Sequence, residues 1–405
     1  MKLKIMIPRS INMGAAINFI TALFVFVLII DPSDVWLRLK LPLFGLLLIL
    51  CIFAYNNVLK SSISGIFIIY GACILASLIG FFRGININTE FAIGIYKGFL
   101  ITFLLLWAHE LRVLEKMYIP TILIAIIVAF IYIAMLEFPI LRMYIYALSI
   151  DENSPLPLLI SNRKFIGIPV TSVFYKTSPL CLFVLGVAFN NIFSKAANRS
   201  RNIILAIGAS VVLFCSGTRM NILSLIAMIG FEAIRRLWQS RSSRIFAITS
   251  VFVGGVAMLF LITELTNDKG EKSLEIKNAL SKAFYNTIYE DPLILIFGNG
   301  PGATFDSMGA RGTEAVQSEL TYQDMIRWFG IPLTVAIMLV FINPLIAILR
   351  KRNKLKYSYT IAVAYILYLI VAGTNPLLIS STGMLALLVM YSYAFNSYYE
   401  NVLQQ

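Results

Sequence analysis

Residues Gly298–Gly330 read GNGPGATFDSMGARGTEAVQSELTYQDMIRWFG, a polar, glycine-rich stretch that ends where an apolar run begins. Most of the remaining chain consists of long apolar segments: 59% of the 405 residues are hydrophobic and only 13% are charged. A continuous apolar run of about 20 residues can cross the hydrocarbon core of a bilayer as a helix. The contrast predicts an all-α, polytopic protein in which residues 1–405 form a single integral membrane domain.

The apolar runs predict about twelve transmembrane helices. The tenth span is predicted at Ile331–Leu349, directly after the quoted stretch. One large loop is predicted before it, at residues 263–324, and a second long loop at residues 139–168. The four cysteines fall in or beside apolar runs, so neither a disulfide framework nor a metal site is expected from them.

Basic residues cluster at the ends of the apolar segments, which is typical of membrane topology signals. This distribution explains the net charge of +13 without a nucleic-acid partner. With the N-terminus in the cytoplasm, the inner segments contain 18 Lys and Arg against four acids, and the outer segments contain 12 against 16. Excess Lys and Arg mark the cytoplasmic side. Both termini are therefore predicted to be cytoplasmic, and both long loops to lie outside.

Glu319 is the candidate general base. It lies at the end of the large loop, where Glu319, Tyr322 and Gly330 fall on one face of a helix expected to run into the tenth span. A partly desolvated carboxylate at the membrane surface can have a raised pKa and accept a proton. The alternative is that Glu319 only complements the positive end of the helix.

Basic residues on the outer side are candidates for binding a diphosphate. They are Arg163, Lys164, Lys176, Arg219 and Arg311. Lys176 is expected in the first turns of a sixth span running from about Pro169 to Phe193. Charged groups inside a membrane are costly and often functional, and the arginine fork matches phosphate oxygens. For each residue the alternative is a side chain that reaches the membrane interface without a ligand.

The glycine run Gly298–Gly302 is not a P-loop, because no Lys-Ser or Lys-Thr pair follows it. Gly300 and Gly302 could let backbone N–H groups approach a phosphate or a sugar. The alternative is a plain turn at the membrane surface. The single histidine, His109, lies in a predicted cytoplasmic turn, so histidine-based catalysis outside is not expected, and no metal or cofactor is predicted.

Three short patches resemble the O-antigen polymerase and ligase superfamily of bacterial inner-membrane glycosyltransferases. Arg163-Lys164-Phe165-Ile166-Gly167 resembles its Arg-x-x-x-Gly element, and Ser216-Gly217-Thr218-Arg219 resembles its Ser-Gly-Ser-Arg element. Gly298–Gly302, followed by Glu319, Tyr322 and Gly330, resembles its loop-to-helix signature. Ligases carry a His-Asn pair where this chain has Glu319-Leu320, which favours a polymerase.

The resemblance implies that a growing glycan moves from undecaprenyl diphosphate to a lipid-linked repeat unit at the periplasmic face of the inner membrane. Glu319 would take the acceptor proton, and Arg163 and Arg219 would stabilise the leaving diphosphate. The other implied contacts to diphosphate or substrate are Arg311, Lys164, Lys176, Tyr322, Gly300 and Gly302. The transfer would be metal-independent and inverting, and membrane lipid and a chain-length regulator protein are expected partners.

Other functions remain open. One is an O-antigen ligase, which would move the glycan to a lipid A core. Another is a flippase or other transporter of lipid-linked oligosaccharides, although transporters typically show internal repeats and broken helices at the membrane midplane. A third is a structural subunit without chemistry, which leaves the outer arginines unexplained. Polar residues concentrate in one outer loop here, which favours the polymerase.

Overall fold

A computed structural model describes residues 13–150, 158–165, 168–194, 198–238, 272–309 and 312–400. Arg311, the predicted ninth span (Ile245–Ile262) and the start of the predicted large loop lie outside the described residues. Within the described part, the apolar runs form helices, as the sequence predicts, except that the run predicted as the sixth span begins as a strand. Two short β-hairpins were not predicted.

The helices before the first hairpin are α1 (Met13–Ile30), α2 (Lys40–Ala54), α3 (Lys60–Phe82), α4 (Thr89–Phe99), α5 (Val113–Lys116), α6 (Tyr118–Glu137) and α7 (Pro139–Ile150). A 3₁₀ helix, Leu100–Trp107, continues α4. The middle of the chain forms β1 (Leu158–Phe165), β2 (Ile168–Tyr175), a 3₁₀ turn (Ser178–Leu180), α8 (Cys181–Phe193), α9 (Arg199–Cys215) and α10 (Arg219–Leu237). The last part forms α11 (Lys272–Glu290), α12 (Ile294–Phe297), β3 (Phe305–Gly309), β4 (Gly312–Ala315), α13 (Thr321–Arg350), α14 (Ser358–Gly373), α15 (Ser381–Phe395) and a 3₁₀ turn (Ser397–Tyr399).

Five of the described helical segments are long and apolar enough to cross a membrane. They are Met13–Ile30, Lys60–Phe82, Thr89–Trp107, Val113–Glu137 and Thr321–Arg350. Shorter apolar helices accompany them, and α15 lies at the centre, with every residue from Ser381 to Ala394 buried. Large apolar side chains such as Phe82 and Phe67 remain exposed on outward faces, as expected where lipid replaces water. The structure thus fits a helical membrane protein, whereas the total of twelve spans stays a prediction.

The prediction of a sixth span beginning near Pro169 is wrong. Ile168–Tyr175 forms strand β2, which pairs antiparallel with β1, and helix α8 begins only at Cys181. A continuous apolar run does not distinguish a buried strand from a helix, and this run contains both. The predicted second loop, residues 139–168, accordingly contains α7 and β1.

One end of the bundle, called the loop end here, collects the connections at residues 31–39, 83–88, 291–320 and 374–380. Ser381 Oγ donates to the Pro32 carbonyl at 3.0 Å, and the Asn88 N–H donates to the Gly302 carbonyl at 2.9 Å. The opposite end of the bundle contains other connections. There the Lys356 N–H donates to the Tyr399 carbonyl at 3.0 Å. Successive helices therefore alternate between two ends.

Helix α13 breaks near its start. Gly330 has φ 69° and ψ 171°, a conformation that favours glycine. Pro332 has no N–H, so it cannot supply the usual helical donor to the carbonyl of Trp328. The break leaves the carbonyls of Arg327 and Trp328 accepting hydrogen bonds from outside the helix. The second half of α13 starts where the tenth span was predicted.

Candidate functional site

The glycine run at residues 298–302 docks against the break in α13. The N–H of Asn299 donates to the Arg327 carbonyl at 2.8 Å, and the N–H of Gly300 donates to the Trp328 carbonyl at 2.9 Å. In this conformation the Gly300 N–H is occupied by the protein itself. Its contact with a substrate therefore stays a prediction.

Close approach explains why the run is made of glycine. Gly298 has φ 69°, and a Cβ there would lie 2.3 Å from the Trp328 carbonyl oxygen. Gly302 has φ 85°, and its Cβ would lie 2.7 Å from the Asn88 carbonyl oxygen. Any larger residue would push the loop away from α3, α4 and α13. The run thus fixes the large loop to the bundle.

A buried ion pair between Arg327 and Asp324 holds the large loop against α13. Both side chains are only 2% exposed, and Arg327 Nη2 lies 3.1 Å from Asp324 Oδ1. The guanidinium also donates to the carbonyls of Ala303, at 2.5 Å, and Val316, at 2.6 Å. Asp324 Oδ2 accepts the N–H of Ser318 at 2.8 Å. The segment just before α13 is therefore hydrogen-bonded to both members of the ion pair, through Val316 and Ser318.

Arg83, at the end of α3, makes a second attachment. Its Nη1 donates to Asn299 Oδ1 at 2.9 Å and to the Gly298 carbonyl at 3.0 Å. Its Nη2 pairs with the carboxylate of Asp291. These contacts hold Asp291, Gly298 and Asn299 against the end of α3, so Arg83 serves as an anchor for the loop.

Glu319 lies at the loop end, two residues before α13 begins, and not inside the helix as predicted. Its side chain is 28% exposed, and its Oε2 lies 3.7 Å from the Nζ of Lys277 on α11. Lys277 Nζ also donates to the carbonyl of Thr374 at 3.2 Å. The carboxylate is therefore accessible. Lys277, which also bonds to the α14–α15 connection at Thr374, limits the orientation of the Glu319 side chain. Lys277 was missed from sequence because α11 is distant along the chain.

Tyr322 has a structural role in this conformation. Its hydroxyl donates to the Leu369 carbonyl at 2.8 Å, and its ring sits against Gly373, where a Cβ would lie 2.3 Å from a ring carbon. The predicted common helical face of Glu319, Tyr322 and Gly330 is wrong, since Glu319 precedes the helix and Gly330 interrupts it.

Arg219 begins α10 at the tip of the α9–α10 hairpin, as predicted. The β1–β2 hairpin packs on this tip, because Ser172 Oγ donates to the Ser216 carbonyl at 2.5 Å. Gly217, with φ 59°, allows the approach: a Cβ would lie 2.5 Å from Ser172 Cβ. Ser172 pairs with Ser161 across the hairpin. Two of the patches that carry the family resemblance thus belong to elements in contact.

Arg163 and Lys164 lie near the end of β1, opposite Val170 and Pro169 of β2. Their strand belongs to the hairpin that contacts the α9–α10 tip. Arg311 lies outside the described residues. Helix α14 contacts both α10, which begins at Arg219, and α13, which follows Glu319.

Lys176 lies in the turn after β2, which corrects its predicted place in the first turns of a helix in lipid. Its Nζ donates to Ser33 Oγ at 3.0 Å. Burial lowers the pKa of Lys176, and the nearby carboxylate of Asp31 partly offsets this effect. The ammonium therefore faces the α1–α2 connection.

A cleft of about 740 Å³ opens at the loop end between the start of α2 and the first turns of α4. Lys40 and Lys97 line it from these two helices, and Gln317 and Pro376 line it from the large loop and the α14–α15 connection. Gln317 is two residues from Glu319, so their Cα atoms are at most about 7 Å apart. The candidate base therefore lies close to the cleft, although Glu319 does not itself line it.

Among the described residues, no group of three or more His, Cys, Asp or Glu side chains could hold a metal ion. In comparisons with known protein families, with curated proteins and with solved structures, the chain matches none of them.

Proposed function

We propose that this chain is a polysaccharide polymerase of the inner bacterial membrane. It transfers a growing glycan from undecaprenyl diphosphate to a repeat unit carried on the same kind of lipid. The observation that carries the proposal is the accessible Glu319 carboxylate at the loop end, 3.7 Å from Lys277 and next to a cleft of about 740 Å³. A base at a membrane boundary suits a reaction in which both substrates are lipid-linked.

The proposed reaction is a single displacement. A hydroxyl oxygen of the acceptor sugar attacks the anomeric carbon of the donor, and the bond from that carbon to the diphosphate oxygen breaks. The electron pair leaves with the diphosphate, and the hydroxyl proton passes to Glu319. One displacement inverts the anomeric configuration. The activated bond is already present in the donor, so no nucleotide is consumed.

Fixed positive charge is the second requirement, because the leaving diphosphate gains negative charge in the transition state. Arg163 and Arg219 are assigned this role, with Arg311, Lys164 and Lys176 in support. The contact between the β1–β2 hairpin and the α9–α10 tip supports their acting together, since Ser172 joins the two elements.

Preorganisation of the base supports the same proposal. Catalytic groups work best when their neighbours hold them in the productive geometry. Arg327 and Asp324 tie the segment before α13 in place, and Lys277 contacts both Glu319 and the Thr374 carbonyl. Lys277 is thus a positioning residue for Glu319.

The test is complementation of a deletion strain with Glu319→Gln, read on a lipopolysaccharide gel. The glutamine keeps the size of the side chain but cannot act as the base, so we expect core carrying a single repeat unit instead of a ladder. Glu290→Gln is the matched control: Glu290 is an exposed carboxylate at the end of α11, and its variant should restore the full ladder.

Other gel patterns identify the rival functions. Bare core without any repeat unit would indicate a ligase or a flippase. A full ladder from Glu319→Gln, at the normal amount of protein in the membrane, would show that Glu319 is not the base.

A further inference from the structure

The cleft lies between the first turn of α2 and the first turns of α4, which are both apolar helices. Helix α2 contacts α1 and the 3₁₀ segment Leu100–Trp107 that follows α4. The first turns of α4 instead border the cleft, and so does the first turn of α2. Leu41 is 38% exposed and Ile93 is 51% exposed, and both line the opening. Its walls thus offer apolar surface at the level of a membrane helix.

Lys97 lines this cleft from α4. It lies eight residues after Thr89, the first residue of α4, so it is about 12 Å along the helix axis. In the part of the chain that the structure describes, no carboxylate forms a salt bridge with Lys97. Lys97 is exposed, and it lies in the apolar helical segment Thr89–Trp107, which is long enough to cross a membrane. Ionisable side chains in such a segment often face a cavity and mark a binding site, so the position suits an anionic ligand.

A second ammonium group lines the same cleft, and a third contacts one of its lining residues. Lys40, from the start of α2, lines the cleft, and its Nζ donates to the Pro32 carbonyl at 3.0 Å. Lys176 Nζ donates to Ser33 Oγ at 3.0 Å, and Ser33 also lines the cleft. Two lysines, from α2 and α4, therefore line the cleft, and Lys176 contacts a residue that lines it.

Two nearby carboxylates, those of Asp31 and Asp34, accept hydrogen bonds from backbone N–H groups, and a third, that of Glu90, lies nearer the loop end. Asp31 accepts the backbone N–H groups of residues 35–37 at 2.7 to 3.2 Å. Asp34 Oδ1 accepts the backbone N–H of Lys40 at 3.0 Å. Glu90 lines the cleft from the first turn of α4, seven residues before Lys97, which is about 10 Å nearer the loop end. Asp34 and Glu90 both line the cleft, and Lys97 is the charged lining residue that lies farthest along α4 from the loop end.

We propose that this cleft binds the diphosphate of a polyprenyl-linked glycan, held by Lys97 and Lys40, with the lipid chain lying along Leu41 and Ile93. This inference rests on the proposed function and adds a second lipid site to it. Arg219 at the α9–α10 tip and Arg163 on β1 serve one lipid-linked substrate, and the cleft admits the other. Gln317 at the rim connects the cleft to Glu319, where the two glycans meet.

The test measures binding of undecaprenyl diphosphate to the purified full-length chain in detergent by native mass spectrometry. Loss of a charged hydrogen-bond donor should weaken binding about tenfold or more, so we expect this effect for Lys97→Gln and for Lys40→Gln. Lys97→Arg should retain binding, since the charge remains. Lys60→Gln is the control, because Lys60 begins α3 at the opposite end of the bundle, and its variant should bind within twofold of the parent chain.

Competition identifies the source of the phosphate. Phosphatidylglycerol and inorganic pyrophosphate should each displace undecaprenyl diphosphate poorly. If phosphatidylglycerol competes equally, the cleft is an ordinary lipid site and the proposal is wrong. If pyrophosphate alone binds as tightly, the lipid chain has no part in it. Binding by Lys97→Gln and Lys40→Gln within twofold of the parent chain would also overturn the proposal.

The measurements distinguish an error in the cleft proposal from an error in the proposed function. Glu319→Gln should bind undecaprenyl diphosphate as the parent chain does, because Glu319 is not a cleft ligand. If Lys97→Gln loses binding while Glu319→Gln still makes a full ladder, the cleft stands and the assignment of the base fails. If Glu319→Gln stops the ladder while Lys97→Gln binds normally, only the cleft proposal fails.

Discussion

At the scale of single residues, the charged side chains of this protein divide into anchors and candidates for chemistry. Arg327 and Asp324 are both 2% exposed, and the guanidinium donates to backbone carbonyls of the large loop. Glu319, close by in sequence, is 28% exposed at the loop end. The position of Glu319 between a polar loop and a predicted span made it a candidate base, which stays a prediction. The sequence alone could not identify the anchors, because their partners at Ala303 and Val316 are revealed only by tertiary contacts.

Replacing Arg327 should destabilise the protein strongly. Arg327→Met leaves the Asp324 carboxylate and two carbonyls buried without their donor, and breaking a buried ion pair by removing one partner costs about 3–5 kcal/mol. We expect a marked fall in the unfolding temperature in detergent, measured by intrinsic fluorescence. Arg350→Met, at an exposed position in the last turn of the same helix, should change it little. An unchanged Tm for Arg327→Met would contradict the anchoring role.

At the scale of secondary-structure elements, the sequence predicted helices correctly where the length of an apolar run was enough to define one. The apolar runs became helices, and the second half of α13 begins next to Ile331, as predicted. The run from Pro169 to Phe193 failed, because its apolar character hides a change from strand β2 to helix α8. The break in α13 was also missed: Gly330 was expected on a continuous helical face, whereas docking of residues 298–302 depends on a break there.

The break makes a prediction for α13. Gly330→Ala places a Cβ 2.4 Å from the Ile296 carbonyl oxygen and forces alanine to φ 69°. Strain of this kind costs roughly 1–3 kcal/mol for the backbone alone, and the clash adds to it. We expect a lower unfolding temperature and easier proteolysis of the large loop.

Gly71→Ala is the matched control for Gly330→Ala. Gly71 lies inside helix α3, and a Cβ there would meet nothing within 4 Å. Its variant should be neutral or slightly more stable, since alanine favours a helix over glycine. Equal effects of the two substitutions would show that the break in α13 has no special role.

At the scale of the whole molecule, five long apolar helical segments and a buried central helix α15 form a bundle with two distinct ends. The loop end holds Glu319, the α9–α10 tip and the cleft, which are far apart in sequence. Composition and hydropathy are enough to predict a membrane bundle. They cannot predict which loops meet, because contacts such as Ser172 with Ser216, or Lys277 with Glu319, depend on packing between distant elements.

The most direct test of the proposed polymerase uses the purified full-length chain in liposomes with its undecaprenyl-diphosphate-linked repeat unit as the only substrate. The account predicts glycans longer than one repeat unit, with one undecaprenyl diphosphate released for each bond formed and no nucleotide sugar required. Mass spectrometry measures both products, and Glu319→Gln should form neither. A folded parent chain that leaves the repeat unit at its original length would contradict the account.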